Sequence, residues 1–449
     1  MSFLFGDWLD FINTEPFDFF FDRWNLHDRG NGIFKLRLGY KPLYVVSGKE
    51  YVDLILHNRA SNGFDFIRGE GFEMVRSIFG EKNLGVLEDQ PYKDKRGLIH
   101  RHFGQPKVLQ YQERIQNVID EWLNNFKGTD DFAKSVGELS CDITGSIFVH
   151  QDQSSIKIKE ASRRLGDLIT LLSKTAFTPY PLWFKRFYEK ITACTDLHIP
   201  FLPEPLQPKV WNEQRRCKEE YYEELERFIT LVLEEKYGEP SDSTLFYSLI
   251  EEYKDKNTDE MKTDLAAIFF AGQDTTTSTI VWLMVELHRH PDIKRKVKEC
   301  NDDHYIMAVI METLRLDPPA PGTIRNLRGD NVDLGPFTLK DGDHVFIYNY
   351  AINRNKEYWG EDANEWVPDR MLRFYEKHGK WPSEVREACF STFVDGQHKC
   401  PGRRILVPVV LTFIKEFLKR FDYTIEECDL SPKIEIVSLP KSPIKLTTV

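Results

Sequence analysis

One cysteine of this chain lies in a glycine-containing loop that could hold a metal-bound thiolate. From Phe393 to Gly402 the pattern is F-x-x-G-x-x-x-C-x-G, with Gly396 before Cys400 and Gly402 after it. A thiolate is a strong, electron-donating ligand for haem iron. Glycine lets backbone N–H groups turn toward the sulfur and the chain approach a flat ring, because it has no Cβ and tolerates positive φ; Phe393 could cover the sulfur side of that ring. The alternative is a buried structural cysteine, and the rarity of the pattern favours the ligand.

A second motif, Glu312-Thr313-Leu314-Arg315, places a carboxylate and a guanidinium on one helix face. The preceding residues 305–311 are mostly apolar, and Pro318 ends the helix soon afterwards. An exposed ion pair is the alternative interpretation, but the apolar flanks predict burial, where an unpaired charge would be costly. Arg370, 30 residues before the cysteine, is the predicted third member of a structural triad that holds the cysteine loop on this helix.

A third motif interrupts a long predicted helix, about 259–289. Residues 271–276 read Ala-Gly-Gln-Asp-Thr-Thr, and glycine, aspartate and threonine are poor helix formers. Threonine hydroxyls can also bond back to helix carbonyls and bend the helix. One interpretation is a tolerated kink. The other is a widened turn where Asp274 and Thr275 hold water and relay protons to bound oxygen, which needs a hydroxyl or carboxylate within hydrogen-bond reach.

In this order and spacing the three motifs resemble the cytochrome P450 superfamily of haem-thiolate monooxygenases. The resemblance extends over most of the chain: residues 34–47 resemble the family's first β-hairpin, and Tyr92 with Arg96 resembles its W-x-x-x-R helix motif, with tyrosine in place of tryptophan. Residues 318–321 with Arg325 resemble the segment after the E-x-x-R helix.

The resemblance implies a haem b cofactor with Cys400 as the axial iron ligand. Its propionates need cationic or donor partners when buried, which the resemblance assigns to Arg96, Arg325 and His398. The whole predicted cofactor-binding set comprises Tyr92, Arg96, Arg325, Phe393, Gly396, His398, Cys400 and Gly402. Similar proteins also suggest the substrate-pocket walls Phe64, Phe72, Met74, Ile268, Phe269, Ala271, Ala320, Thr323, Ile324 and Leu439.

Composition narrows the other possibilities. The formal net charge of −11 argues against nucleic acid as a partner. The seven cysteines are scattered, without a C-x-x-C pair, as expected in a reducing compartment and not in a disulfide framework or zinc site. No linker, repeat or low-complexity tract appears, so we expect one domain over residues 1–449.

The predicted fold is mainly α with small β-sheets, a single large cytochrome P450-like domain that encloses haem. Helical periodicity favours helices at 108–127, 131–149, 155–175, 209–237, 259–289, 292–300, 305–316 and 402–419. Alternating segments near 34–46 and 334–349 predict strands.

No apolar run approaches the ~20 residues of a membrane span, so we expect a soluble, cytoplasmic protein. The sequence leaves peripheral membrane association, or a removed N-terminal anchor, open. The aromatic segment 176–187 is more typical of a lid over the substrate entrance than of a membrane contact.

The predicted function is O2 activation and oxidation of a mainly apolar small molecule. Electrons would come from a ferredoxin or flavin reductase, and indirectly from NAD(P)H. The predicted docking face carries Lys399, Arg403 and Arg404, with Lys93 and Lys95 beside them. Two rivals remain: a haem-thiolate peroxygenase or hydroperoxide isomerase, against which Asp274 and Thr275 argue, and a non-catalytic haem sensor, which would not need a large pocket.

Overall fold

The structure is a computed structural model. It describes residues 7, 14, 16–27, 30–37, 42–57, 63–69, 72, 75–76, 79–149, 208–234, 245–253, 258–300, 302–434 and 437–448. The predicted helix 155–175, the aromatic segment 176–187 and Met74 lie outside these residues.

Helices dominate the described part of the chain. They are α1 (Pro16–His27), α2 (Lys49–His57), α3 (Asp89–His100), α4 (Gln105–Asn125), α5 (Phe132–Val149), α6 (Pro208–Glu234), α7 (Leu245–Tyr253), α8 (Thr258–Arg289), α9 (Pro291–Glu299), α10 (Asp303–Leu316), α11 (Asn349–Ile352), α12 (Lys356–Trp359), α13 (Asp369–His378) and α14 (Arg403–Arg420). Seven of the eight predicted helices are found, with ends that shift by a few residues. Among these, no helix is both long and apolar enough to cross a membrane.

Local sequence explains the ends of α10, the helix of the E-x-x-R motif. The Asp302 side chain accepts a hydrogen bond from the His304 backbone N–H at 2.9 Å, which caps the first turn. The helix ends at Leu316, two residues before Pro318, because proline cannot donate to the helical ladder. From Tyr305 to Leu316 nearly every residue is buried, so the motif lies in the core.

The strands are short. They are β1 (Ile33–Leu36), β2 (Leu43–Val46), β3 (Phe64–Ile67), β4 (Thr323–Gly329), β5 (Val332–Leu334), β6 (Phe337–Leu339), β7 (His344–Ile347), β8 (Tyr423–Ile425), β9 (Pro432–Ile434), β10 (Ser438–Pro440) and β11 (Leu446–Thr448). The largest sheet has the order β1-β2-β7-β4-β3, in which only β2 and β7 pair in parallel. Where strands were predicted near 334–349, the structure has the end of β5, then β6 and β7, and Asn349 begins α11.

The main core lies between helices and reaches into the sheet. Residues 280–285 of α8 are almost completely buried, as are most of α10 and the inner faces of α4, α5 and α14. A smaller cluster joins α1 to the sheet through Phe19, Phe20 and Phe346. The fold is thus mainly α with small β-sheets, as the sequence predicted, and it brings the cysteine loop, α3, α8 and β4 into one region.

Candidate functional site

The Cys400 loop directs backbone N–H groups at the sulfur. The Cys400 N–H donates to the Phe393 carbonyl at 2.9 Å, which closes the loop. Sγ accepts hydrogen bonds from the N–H groups of Gly402 and Arg403, where α14 begins. Burial raises the pKa of the Cys400 thiol, and these N–H groups and the nearby Arg96 oppose that rise. The start of α14 also presents the positive end of its dipole to the sulfur.

Two observations on Cys400 conflict unless its sulfur faces an internal space. By surface area the residue is exposed, yet burial raises the pKa of its thiol. A sulfur at the outer surface would satisfy only the first observation, and a sulfur packed in the core only the second. A sulfur that faces an internal space satisfies both, and ligation of a flat ring requires such a space.

The two loop glycines have different roles. Gly396 has φ +72°, and a Cβ there would lie 2.1 Å from the Leu56 carbonyl oxygen, so this position requires glycine. Gly402 has φ −68° as the residue before α14, so the positive-φ argument does not apply to it. Val394, φ +55°, is the strained residue instead, since a β-branched side chain rarely adopts this conformation.

Arg325 and Arg96 reach the same buried region from different elements. Arg325, on β4, is 2% exposed and donates to Thr323 Oγ1 at 2.8 Å and to the Ile324 carbonyl at 2.7 Å. Burial and the nearby Arg68 lower the pKa of Arg325 to about 9. Arg96, on α3, donates to the Lys399 carbonyl at 2.6 Å, next to the cysteine. The Arg96 guanidinium therefore lies beside the Cys400 loop, and both guanidiniums act electrostatically on Tyr92, which is bonded to that loop.

His398 and Tyr92 donate hydrogen bonds to other residues of the protein. Their rings lie 4.4 Å apart, and the Tyr92 hydroxyl donates to the Gln397 carbonyl at 2.9 Å. Burial lowers the pKa of His398 to about 4, so the imidazole is neutral near pH 7, with Nε2 3.0 Å from Glu88 Oε2. Donation to this carboxylate leaves Nδ1 as an acceptor, which has no partner among the described residues. A direct bond from His398 to a propionate therefore requires the imidazolium form.

Sequence reasoning missed Arg68 and Glu88. Arg68 follows β3, and its guanidinium lies 5.4 Å from the Phe72 ring centre and 5.8 Å from that of Tyr92. Its backbone N–H donates to Glu88 Oε1 at 2.7 Å, and its buried Nε has no partner within the described part of the chain. The one local signal is an arginine at the end of an apolar strand.

These residues fit the propionate edge of a haem. Arg68, Arg96, Arg325 and Glu88 all act electrostatically on Tyr92, so three guanidiniums and one carboxylate share one region. The excess of two positive charges is costly in a buried site unless anions balance it. Two propionates would supply that balance, and the Arg68 Nε is an available donor. Together with the sulfur of Cys400, this donor set matches haem.

The structure brings Glu312, Arg315 and Arg370 together. Arg315 donates to both carboxylate oxygens of Glu312 at 2.8 Å, and Arg370 Nε lies 3.3 Å from Glu312 Oε1. The Val367 N–H donates to the same oxygen at 2.9 Å. Arg315 also donates to the carbonyls of Asn353, Ala363 and Glu365. This arrangement joins α10 to the segments that precede the cysteine loop.

Helix α8 runs without a break through the third motif. Three hydroxyls bond back to carbonyls four residues earlier: Thr275 to Ala271 at 2.6 Å, Thr277 to Gln273 at 2.8 Å and Thr279 to Thr275 at 2.8 Å. The kink or widened turn expected from the sequence is therefore not present, because these hydroxyls bond to carbonyls of a helix that stays continuous. Ala271 is exposed in spite of its place in the middle of α8.

The predicted pocket walls divide into two groups. Ile268, Ala271 and Thr275 lie on one face of α8, because they are three or four residues apart. Phe269 is fully buried toward α5, where its ring would lie 3.9 Å from a Cβ built on Gly145, so it faces away from the others. The remaining described pocket residues are partly buried: Phe64, Phe72, Ala320, Thr323, Ile324 and Leu439.

A family model described as "Cytochrome P450" matches residues 2–448. The chain belongs to the cytochrome P450 family. The protein is therefore an oxidoreductase of the haem-thiolate monooxygenase class, and this family binds haem iron and uses O2 with electron-donating partners.

Relatives and solved structures agree with this assignment. Cytochrome P450 71A27 of Arabidopsis thaliana is 31% identical over 210 residues, 42% of this chain and 41% of that protein. Cytochrome P450 71A12 of the same plant is 28% identical over 432 residues, 88% of this chain and 80% of that protein. The structure of retinoic acid-bound cyanobacterial CYP120A1 has a TM-score of 0.78 at 17% identity, and the match covers 99% of this chain and 97% of that one. At that identity the likeness shows the fold alone.

The predicted docking residues are not equally available in this cytochrome P450. Lys95 lies 2.9 Å from the buried Asp264. Arg403 donates to the Ser383 carbonyl at 3.0 Å and lies 3.7 Å from Glu384, and Lys399 lies 3.3 Å from Asp395. Arg404 and Lys93 are exposed. Helical packing of α3, which the sequence did not reveal, turns Lys95 inward.

Proposed function

We propose that this protein oxidises a mainly apolar small molecule, with Cys400 as the axial ligand of haem b. The observation that carries the proposal is the surroundings of Cys400: its sulfur accepts two backbone hydrogen bonds, beside a cluster of three guanidiniums and one carboxylate that has an excess of two positive charges. Family membership supports the haem-thiolate monooxygenase class in general, and we infer the residue roles from this geometry.

When bound, the haem supplies O2 binding and activation, which a thiolate ligand promotes by donating electron density. The two N–H groups on Sγ stabilise the thiolate that ligation needs. Arg68, Arg96 and Arg325 would hold the propionates and so fix the orientation of the ring. The Glu312 contacts to Arg315 and Arg370 hold the segments before the cysteine loop, and therefore the loop itself.

Thr275 and Asp274 are the residues that would hold and deliver protons in the haem pocket. The Thr275 hydroxyl now donates to the Ala271 carbonyl at 2.6 Å, so its lone pairs remain able to accept from a water on the Ala271 face. Rotation about one bond would redirect its proton to that water. Asp274 adjoins it on α8 and is partly buried, so it is the nearest ionisable group to Thr275 along this helix. Such positioned proton transfer commonly contributes about 10²–10⁴-fold to a rate.

The charges of the site support an apolar substrate. The three guanidiniums are balanced by Glu88 and by the two propionates, so the described cluster has no cation left for an anionic substrate. The side chains of Ile268, Ala271, Ile324 and Leu439 are apolar. Substrate affinity would therefore come mainly from apolar burial.

The electron donor would be a ferredoxin or flavin reductase that draws on NAD(P)H. Arg404, in the first turn of α14, and Lys93, on α3, are exposed cations on elements that adjoin the cysteine loop. In a protein of net charge −11, a local basic surface favours an acidic partner, because complementary charge speeds encounter.

The test is turnover of a bound apolar compound with and without an electron donor, using the unmodified protein, Thr275→Ala and a Thr424→Ala control on the exposed face of β8. We expect donor-dependent product in all three, with fewer products per electron and more peroxide only in Thr275→Ala. Product formed without a donor from added peroxide, at equal rates in all three, would favour the peroxygenase rival. Binding without product under any condition would favour the sensor.

A further inference from the structure

The back of the α8 motif packs closely on α5. A Cβ on Gly272 would lie 2.8 Å from Thr144 Oγ1, so glycine is needed for this approach of the two helices. Thr144 Oγ1 donates to the Ser140 carbonyl at 2.8 Å. Thr277 Oγ1 lies 3.3 Å from Ser140 Oγ. We name Gly137, Ser140, Thr144, Gln273 and Thr277 the polar seam.

One acceptor in the polar seam has no partner. Gln273 is 8% exposed, and its buried Oε1 accepts no hydrogen bond from any described residue. Buried polar atoms are rarely left unpaired, because they lose their hydrogen bonds to water. An apolar side chain would avoid that cost, so we expect a hydrogen-bond donor at Gln273 Oε1.

The polar seam has room and partners for one water. A Cβ on Gly137 would lie 3.9 Å from Gln273 Nε2 and 3.8 Å from Thr277 Oγ1, so glycine leaves a small space beside the Gln273 amide and the Thr277 hydroxyl. The Thr277 hydroxyl donates to the Gln273 carbonyl at 2.8 Å, so Ser140 donates to Thr277 and keeps a free lone pair. A water could donate one proton to that lone pair and the other to Gln273 Oε1. Polar surroundings of this kind are where buried waters are found.

We propose that Gln273 and Ser140 hold one buried water, and that this water ties the α8 turn bearing Thr275 to α5. Gln273 lies in the backbone between Ala271, which accepts the Thr275 hydroxyl, and Thr275 itself. A side chain held on α5 restrains the position of this turn, and with it the position of the Thr275 side chain on the Ala271 face. Gln273 is thus a positioning residue. This inference rests on the proton-delivery role of Thr275 proposed above.

The variants are Gln273→Met, Gln273→Glu and a Gln110→Met control on the exposed face of α4. Methionine keeps the length of glutamine without its oxygen. Glutamate keeps an acceptor oxygen, and burial would keep it protonated. In crystal structures of the haem-loaded protein we expect a water about 3 Å from Gln273 Oε1, present in Gln110→Met and lost in Gln273→Met. We also expect a several-fold fall in product per electron in Gln273→Met only, with unchanged substrate affinity.

The outcomes separate the proposals. No water at Gln273 Oε1 overturns the site, and equal coupling in Gln273→Met and the unmodified protein overturns the positioning role, because packing alone would accept methionine. A fall in product per electron in Gln273→Glu as well as in Gln273→Met also contradicts the positioning role, because glutamate keeps the acceptor oxygen. If Thr275→Ala leaves coupling unchanged, the proton-delivery proposal fails, while the crystallographic water still decides whether the site exists.

Discussion

Removal of the Glu312 carboxylate tests the link between the core and the cysteine loop. Glu312 is fully buried and receives three hydrogen bonds from two guanidiniums and one from the Val367 N–H. In Glu312→Ala, Arg315 keeps only carbonyl partners, and Arg370 keeps Asp362 at 2.9 Å. Loss of one partner of a buried ion pair typically costs about 3–5 kcal/mol, a large part of the ~5–15 kcal/mol that stabilises a typical domain.

The assay is haem bound per polypeptide together with the midpoint of unfolding in denaturant. Glu361→Ala is the matched control, because the Glu361 side chain is 91% exposed and lies 3.2 Å from Lys356, and an exposed pair contributes about 0–1 kcal/mol. We expect little haem-loaded protein and a large fall in the midpoint for Glu312→Ala only. Haem-replete Glu312→Ala that unfolds at the same denaturant concentration as Glu361→Ala would refute the reasoning.

Three further predictions concern charged residues. Charge reversal at Arg404 and Lys93 should slow reduction by an acidic donor and weaken its salt dependence, whereas unchanged stopped-flow kinetics would rule out this docking surface. Arg68→Leu should release haem to a scavenging protein faster than the unmodified protein, since one of the three guanidiniums of this cluster is lost; equal release contradicts its propionate role. Burial raises the pKa of Asp317 from 3.8 to about 7. Between these two pH values the folded protein keeps a proton that the unfolded chain loses, so the free energy of unfolding falls as the pH rises from about 4 to about 7. Asp317→Asn should therefore be more stable than the unmodified protein at about pH 8 and equal to it at about pH 4, as measured by denaturant unfolding.

Features that depend on local sequence were predictable. The helix of the E-x-x-R motif, expected at 305–316, is found at Asp303–Leu316, because its cap, its apolar face and the following prolines are all local signals. The long helix expected at 259–289 is found at Thr258–Arg289 for the same reason. The residues around Cys400 likewise identified the loop, since the cysteine and the two glycines that flank it all lie within ten residues.

Features that depend on contacts between distant segments of the chain could not be predicted. Arg68 approaches Arg325 only because β3 pairs with β4, with Ile67 opposite Asn326, and nothing near Arg68 in the sequence indicates that strand pairing. Lys95 was expected at the surface, yet its Nζ donates to Asp264 of α8, 169 residues away in the sequence, at 3.1 Å. Glu88 escaped notice because its partner His398 is more than 300 residues away.

The most direct test of the account is the absorption spectrum of the reduced carbon monoxide complex in Cys400→Ala, with Cys389→Ala as control. Burial raises the pKa of both thiols, but at Cys389 the carboxylates of Asp53 and Glu357 add to the rise, to about 11. At Cys400 two backbone N–H groups and Arg96 oppose it, so Cys389 is the poorer source of thiolate. We predict that Cys389→Ala keeps the spectrum typical of haem-thiolate proteins and that Cys400→Ala loses it. An unchanged spectrum in Cys400→Ala would contradict the assignment of Cys400 as the iron ligand.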